Sequence, residues 1–292
     1  MIESVRSYHK FRALFEDFVI SNDNFSQVKK TIDIKTKQTR YPIISEEDGL
    51  SINIDEYKAY ITGFPKVIYN NANISKKSTY SNLSYTQFKS SITWFNDFII
   101  EPETTVSAIK FGFSITTKIE GKELVNLNIL MHNFQYYNHN TKPKKNQVLK
   151  EFVYTNYTIG VYTEKKNASK KRLIKIVLHL KKSVEFRKFG IKNISDLTAP
   201  KKLKALFGLL MEKFNDLIIV DSFQSFEGKD NELLQMFMIH WYWKNLALTK
   251  SRQTVSMHKK KFLELINKYG LNTQKIYLAK ELKKAFKEFI SN

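Results

Sequence analysis

Two stretches of the chain alternate between apolar and polar residues in a way that predicts β-strands. In Val106 to Lys118 (VSAIKFGFSITTK), Ile109, Phe111, Phe113 and Ile115 share one face, with Lys110 and Ser114 on the other and Gly112 between them. In Leu173 to Leu180 (LIKIVLHL), Ile174, Ile176, Leu178 and Leu180 face one way, leaving Lys175, Val177 and His179 on the opposite side. Shorter alternations in Lys30 to Lys35 (KTIDIK) and Leu50 to Ile54 (LSINI) predict two brief strands, and Glu151 to Tyr162 (EFVYTNYTIGVY) reads as one β-rich run dense in tyrosine.

Helical spacing appears in the middle once and dominates the end. After a polar loop from Asn70 to Asn82, Ser84 and Gln87 form a capping box, and Phe88, Ile92, Phe95 and Ile99 follow at helical intervals until Glu101, Pro102 and Glu103. From Asp196 onward the pattern is helical. Leu203, Phe207, Leu210, Phe214 and Leu217 mark one amphipathic helix, Asn231 to Lys250 a second, and Gln253 to Tyr269 and Thr273 to Phe289 two more, separated by Gly270. A β-rich middle followed by helices is an α+β layout without internal repeats. The expected division is an α+β domain over residues 1–225 and a helical C-terminal region over 226–292.

Charge changes this picture most. Lys and Arg total 48 against 28 Asp and Glu, for a formal charge of +20, which points to a polyanionic partner, most simply DNA or RNA. A basic composition without a specific partner is the plainer explanation. With 42% apolar and 14% aromatic residues in 292, the chain has enough material for a sizeable core. There is no cysteine, which excludes disulfides and thiolate metal sites and fits a reducing cytoplasm. The charge-mixed N-terminus does not read as a signal peptide, and no apolar run approaches membrane-spanning length, so the expected location is the cytoplasm.

The basic residues cluster. One loop around Pro143 holds Lys144 and Lys145, and a second holds Lys165, Lys166, Lys170, Lys171 and Arg172. Lys259, Lys260 and Lys261 lie on a helix opposite Phe262, Leu265 and Ile266, a face suited to docking on a DNA backbone or a partner, although a solvated face is the commonest role for such a run. Tyr136, Tyr137, Tyr154, Tyr157 and Tyr162 lie among the lysines of the two basic loops, an arrangement suited to stacking bases while ammonium groups hold phosphates. Packing within the sheet is the competing role, strongest for Tyr157, which shares a face with Ile159 and Val161. His132 and His139 are expected on a loop or at the surface, and His240, beside Trp241, in a core or an interface. Too few ligands stand close enough for zinc. No phosphate-cradling glycine loop, dinucleotide fingerprint or Ser-His-Asp order is present, and no small-molecule cofactor is expected.

The order of these motifs resembles replication initiation proteins, of the rolling-circle type, from small Bacteroidetes-type phages and plasmids. The strand IKFGFSI (Ile109 to Ile115) is similar to a family strand Leu-Glu-Phe-Gly-Val-Asn-Ile. FVYTNYTIGVYTEK (Phe152 to Lys165) corresponds to a segment carrying the tyrosine, and LIKIVLHL followed by GIKNISDL (Gly190 to Leu197) to a later strand and turn. FNDLIIVDSF (Phe214 to Phe223, read as helix) and the tail from Trp243 to Gly270 complete a likeness spanning about residues 50 to 292. It implies an antiparallel-sheet, nickase-like core, in which a tyrosine attacks phosphate beside a divalent metal held by carboxylates or histidines.

Carried over residue by residue, the family's glutamate falls on Lys110, the later arginine and glutamate on Lys175 and Val177, and the lysine and aspartate flanking the tyrosine on Gly160 and Thr163. Only the tyrosine remains, as Tyr162. Lysine and valine cannot ligate a hard cation. The expectation is therefore a nucleic-acid-binding relative that grips through Lys110, Lys175, His179 and the basic loops without cutting, in replication control or within a nucleoprotein complex. One alternative keeps nicking through Tyr162, with Mg²⁺ or Mn²⁺ held by Asp196, Glu185 or Glu164. Another is a protein-binding inhibitor or accessory subunit of a nucleoprotein enzyme.

Overall fold

The computed structural model describes residues 1–22, 25, 27–72, 83–99, 103–140, 147–163, 172–224 and 227–291. Its centre is an antiparallel sheet of nine strands. The chain-order elements are β1 (Ile2–His9), α1 (Arg12–Ser21), β2 (Lys29–Ile32), β3 (Thr39–Glu47), β4 (Leu50–Ile54) and β5 (Ala59–Gly63). They continue with α2 (Pro65–Ala72), α3 (Tyr85–Asn96), β6 (Thr104–Thr116), the short α4 (Gly121–Glu123), β7 (Ile129–His132), β8 (Leu149–Val153), β9 (Tyr157–Thr163) and β10 (Leu173–Leu180). After α5 (Val184–Arg187) come α6 (Pro200–Asn215), β11 (Leu217–Ile219), α7 (Lys229–Met238), α8 (His240–Thr249), α9 (Arg252–Lys268) and α10 (Thr273–Ser291). The strand order is β2-β3-β4-β5-β1-β6-β10-β9-β8, and β11 and β7 form a separate pair.

The predicted faces of the two central strands hold. Ile109, Phe111 and Phe113 of β6 and Ile174, Ile176 and Leu178 of β10 are buried in one core with Leu203, Leu206 and Leu210 of α6 and Leu278, Leu282 and Phe289 of α10. The rings of Phe207 and Phe286 stack 4.2 Å apart, and Phe113 meets each edge-on at 6.0 and 6.1 Å. Helices α6 and α10 thus bury their apolar faces against one side of the central strands. Lys110, Gly112 and Ser114, with Lys175, Val177 and His179, point the other way. A second apolar cluster gathers Met131 and Ile218 with Leu234 and Phe237 of α7, Trp243 and Leu246 of α8, and Phe262, Leu265 and Ile266 of α9. The last helix, α10, returns to the main core.

Several expectations are corrected. The tyrosine-rich run is β structure as read, divided into two strands by a tight turn in which the Tyr154 amide donates to the Tyr157 carbonyl at 2.9 Å, because Thr155 and Asn156 reverse the chain. KTIDIK keeps its strand only to Ile32. Asp33 then accepts amide hydrogens from Lys35 and Thr36, which folds the chain into a turn. The polar loop begins later than read, since Asn70, Asn71 and Ala72 finish α2, and residues 73–82 lie outside the described residues.

Two helical readings also change. The helix expected over Phe214 to Phe223 stops at Asn215, and Leu217, Ile218 and Ile219 pair as a strand with β7, 85 to 90 residues earlier in sequence by the register Leu217↔His132 and Ile219↔Ile129. Asn231 to Lys250 is two helices. Ile239 is extended, and the indole N–H of Trp243 donates at 2.6 Å to the Phe237 carbonyl that the break leaves without a helical partner.

Candidate nucleic-acid interface

The far side of the central strands gathers Tyr162, Lys110, Lys175 and His179. Register places Lys110 opposite His179 and Lys175 opposite both Ser114 and Tyr162. Between these rows lie Gly112, Val177 and Gly160, side by side on adjacent strands. Gly112 has no room for a side chain. A Cβ there would stand 2.2 Å from the Ile176 carbonyl oxygen and 2.7 Å from Val177 Cα. A fifth residue joins the four on this face.

That residue is Glu3, which the sequence reading did not single out. The β1–β6 pairing slips between Ile2 and Ser4, which face Phe111 and Lys110, so Glu3 is the extra residue of a β-bulge. Bulges re-aim a side chain, and this one puts a carboxylate among the lysines. Glu3 Oε1 lies 2.5 Å from Lys175 Nζ, Glu3 Oε2 lies 3.4 Å from Lys110 Nζ, and the Tyr162 hydroxyl donates to Glu3 Oε1 at 3.3 Å. Burial works to raise the Glu3 pKa, but Lys175 and then Lys110 outweigh it and hold the carboxyl below the usual glutamate range. The alternation along the two strands correctly puts Lys110 and Lys175 on this face. What it missed is a carboxylate arriving from a strand more than a hundred residues away.

The geometry changes the expected chemistry of the lysines. Lys175 is mostly buried and Lys110 half-exposed, and each already has an anionic partner. A phosphate oxygen there would compete with Glu3 instead of meeting two free ammonium groups. The set also fits a divalent metal poorly: its one carboxylate is engaged by two cations, whereas Mg²⁺ and Mn²⁺ sites take several oxygen donors. Asp196 accepts the amides of Lys192 and Asn193 at 2.7 and 2.9 Å and pairs with Lys202, and Glu185 accepts from Asn156 at 3.0 Å. Glu164 lies outside the described residues. Among the described residues no three of His, Asp and Glu converge on one point.

His179 sits in a field of positive charge. Burial first, then Lys110, Arg6 and Lys181, push its pKa below the ordinary histidine range, with Glu151 opposing. It is therefore neutral near pH 7 and offers hydrogen bonds, not charge.

The other predicted residues are dispersed. Lys144, Lys145, Lys165, Lys166, Lys170 and Lys171 lie outside the described residues, and Arg172 is exposed just before β10. Phe262, Leu265 and Ile266 are buried as expected on α9, whose lysines face outward. Lys259 lies 4.8 Å from the Phe134 ring centre, and Lys260 and Lys261 approach Glu264 and Asp230 at 4.0 Å each.

Tyr154 and Tyr157 are packing residues. Their rings stack 4.6 Å apart against His132, which is fully buried on β7 and not on a surface loop. His132 Nε2–H donates to the Lys213 carbonyl at 2.9 Å and Nδ1 accepts from the Tyr154 hydroxyl at 2.6 Å, the tautomer those two partners require. Tyr136 and Tyr137 lie on the β7–β8 connection beside exposed His139, and Tyr136 reaches His240 at the start of α8, 4.2 Å between ring centres.

No protein-family model and no curated protein matches the chain. A solved structure described as a rolling circle replication initiator protein from Geobacillus stearothermophilus aligns over 80% of this chain and 89% of its own, at 7% identity and a TM-score of 0.35. A superposition that loose carries no argument about what this chain does. No described helix is long and apolar enough to cross a membrane.

Proposed function

We propose that this protein binds nucleic acid on the open face of its nine-stranded sheet and does not cut it. It would use an initiator-like, nickase-like antiparallel scaffold in replication control or within a larger nucleoprotein complex in the cytoplasm. The observation that carries this reading is the placement of Tyr162, Lys110, Lys175 and His179 together on the strand faces turned away from the helices. The order of sequence motifs and the charge of +20 support it from a separate direction. The ion pairs between Glu3 and the two lysines support the absence of a metal-assisted step. The basic loops, with Arg172, and the lysines of α9 would add phosphate contacts of the sequence-independent kind.

The deciding experiment combines a nicking and adduct assay on supercoiled and single-stranded DNA in Mn²⁺ with a binding titration at two salt concentrations. Salt-sensitive binding to DNA or RNA without strand breaks is the expected result. Cleavage with a covalent adduct lost in Tyr162→Phe would mean a working nickase. Co-purification with one protein partner, together with weak binding to naked nucleic acid, would mean an accessory or inhibitory subunit.

A further inference from the structure

Beside the Glu3 cluster, on the same side of the sheet, β1, β5, the edge of β6 and the segment leading into α5 line an open groove of about 520 Å³. Five cations line it: Arg6, Lys58, Lys181, Lys182 and Arg187. No carboxylate lines it, and none of the five forms an ion pair among the described residues. Two acids close to these cations in sequence are otherwise engaged. Asp55 accepts the amides of Tyr57 and Lys58 at 2.8 and 2.6 Å, and Glu185 serves Asn156 and lies 3.9 Å from Lys188. Lys181 donates to the Tyr154 carbonyl. Arg6, Lys58, Lys182 and Arg187 are exposed.

Concentrating like charges without counterions destabilises a fold, so such a groove marks a place where an anion is expected from outside. Two features narrow the anion. Tyr8 and Tyr60 are cross-strand partners whose ring centres are 5.6 Å apart, and the Arg6 guanidinium stands 5.0 Å from the Tyr60 ring centre. The Arg6 Nε–H also donates to Ser107 Oγ at 3.1 Å, which fixes the fork in place. A ring pair beside a fixed guanidinium and hydroxyls is suited to a flat base attached to a phosphate.

We infer that this groove is a binding site for single-stranded nucleic acid, with Lys58, Lys182 and Arg187 on the backbone phosphates, Arg6 bridging phosphate and base, and Tyr60 and Tyr8 stacking a base. The inference rests on the nucleic-acid-binding reading and locates its main grip away from the lysines that Glu3 already neutralises.

The test uses the whole chain and fluorescence anisotropy with a labelled oligothymidylate, at about 50 and 200 mM salt, beside duplex DNA, heparin and anionic phosphatidylserine vesicles. The double variant K182E/R187E changes only exposed positions and keeps its thermal transition. It is expected to bind the oligonucleotide at least about tenfold more weakly and to lose about one to two from the salt slope. Tyr60→Ala is expected to weaken oligonucleotide binding about tenfold or more while leaving heparin, which has no bases, unchanged, and Tyr60→Leu checks that folding is not the cause. Wild-type affinity in both groove variants, with binding intact, overturns the groove and leaves the wider reading standing. A wild-type protein that binds no nucleic acid overturns both. Preferential binding to duplex or to vesicles, or equal loss on every ligand with no effect at Tyr60, overturns the single-strand assignment.

Discussion

Glu3 is the residue on which the properties of the open face turn. Its carboxylate contacts Tyr162, Lys110 and Lys175, so Glu3→Gln makes the face one charge more positive and removes the ion pairs it forms with both ammonium groups. The expected cost is about 1–3 kcal/mol of stability, below the full penalty for breaking a buried pair because Lys110 can regain water. The same change is expected to tighten nucleic-acid binding at low salt and add about one to the salt slope. Weaker binding would mean that Glu3 positions the lysines for phosphate instead of occupying them. Histidines set a second residue-scale behaviour. Burial holds the pKa values of His9, His132 and His179 below the ordinary range, so the folded protein keeps them neutral while the unfolded chain takes up protons near pH 6.5. The unfolded state then binds more protons, and stability is complete above about pH 6.5 and falls as pH drops through that value. Urea unfolding at pH 7.5 and 5.5 should show this loss, and His132→Gln should shrink it.

Among the elements, α3 illustrates a local signal strong enough to survive folding. The Ser84 hydroxyl accepts the Gln87 amide at 3.2 Å and the Gln87 side chain accepts the Ser84 amide at 2.9 Å, the reciprocal pair that the sequence spacing predicts. Ser84→Ala is expected to cost about 1 kcal/mol in denaturant unfolding, with Ser84→Gly costing less. The strands LSINI and LIKIVLHL were legible for a similar reason, since alternation with one buried face determines both element and register. Elsewhere the decisive contact is distant. Leu217, Ile218 and Ile219 continue the apolar pattern of α6, and what makes them a strand is pairing with β7. Ile239 lies in an unbroken apolar run, and the helix ends there because Trp243 folds back on Phe237. β1 escaped notice because Glu3, Arg6 and His9 interrupt its alternation, and a bulge shifts its phase. The candidate site was therefore half legible: the strand faces bearing Lys110, Lys175, His179 and Tyr162 could be read, while Glu3 and the Arg6–Arg187 groove needed the sheet order.

At the scale of the whole molecule, the chain's last helix closes the core begun by its first strand. Residues of α10 reach β6 and α3: Phe289 contacts the rings of Phe88, Tyr85 and Phe113, and Phe286 lies on Phe207. The helices α7, α8 and α9 have their own apolar cluster, yet they lie in sequence between β11 and α10, so the main core cannot be completed until they have been passed. Ending the chain after Asn272 removes Leu278, Leu282, Phe286 and Phe289 from the main cluster. At about 1.5–3 kcal/mol for each large apolar side chain, the loss is about 6–12 kcal/mol. That is comparable to the entire stability of an ordinary domain, about 5–15 kcal/mol. The truncated protein is expected to lose its cooperative thermal transition and expose Phe113 and Phe207, which a hydrophobic dye would report. Lys283→Ala, an exposed change on the same helix, should leave the transition in place. If the truncated chain still melted cooperatively at the full-length temperature, α10 would be an accessory layer, and the sheet would owe its stability to α3 and α6 alone.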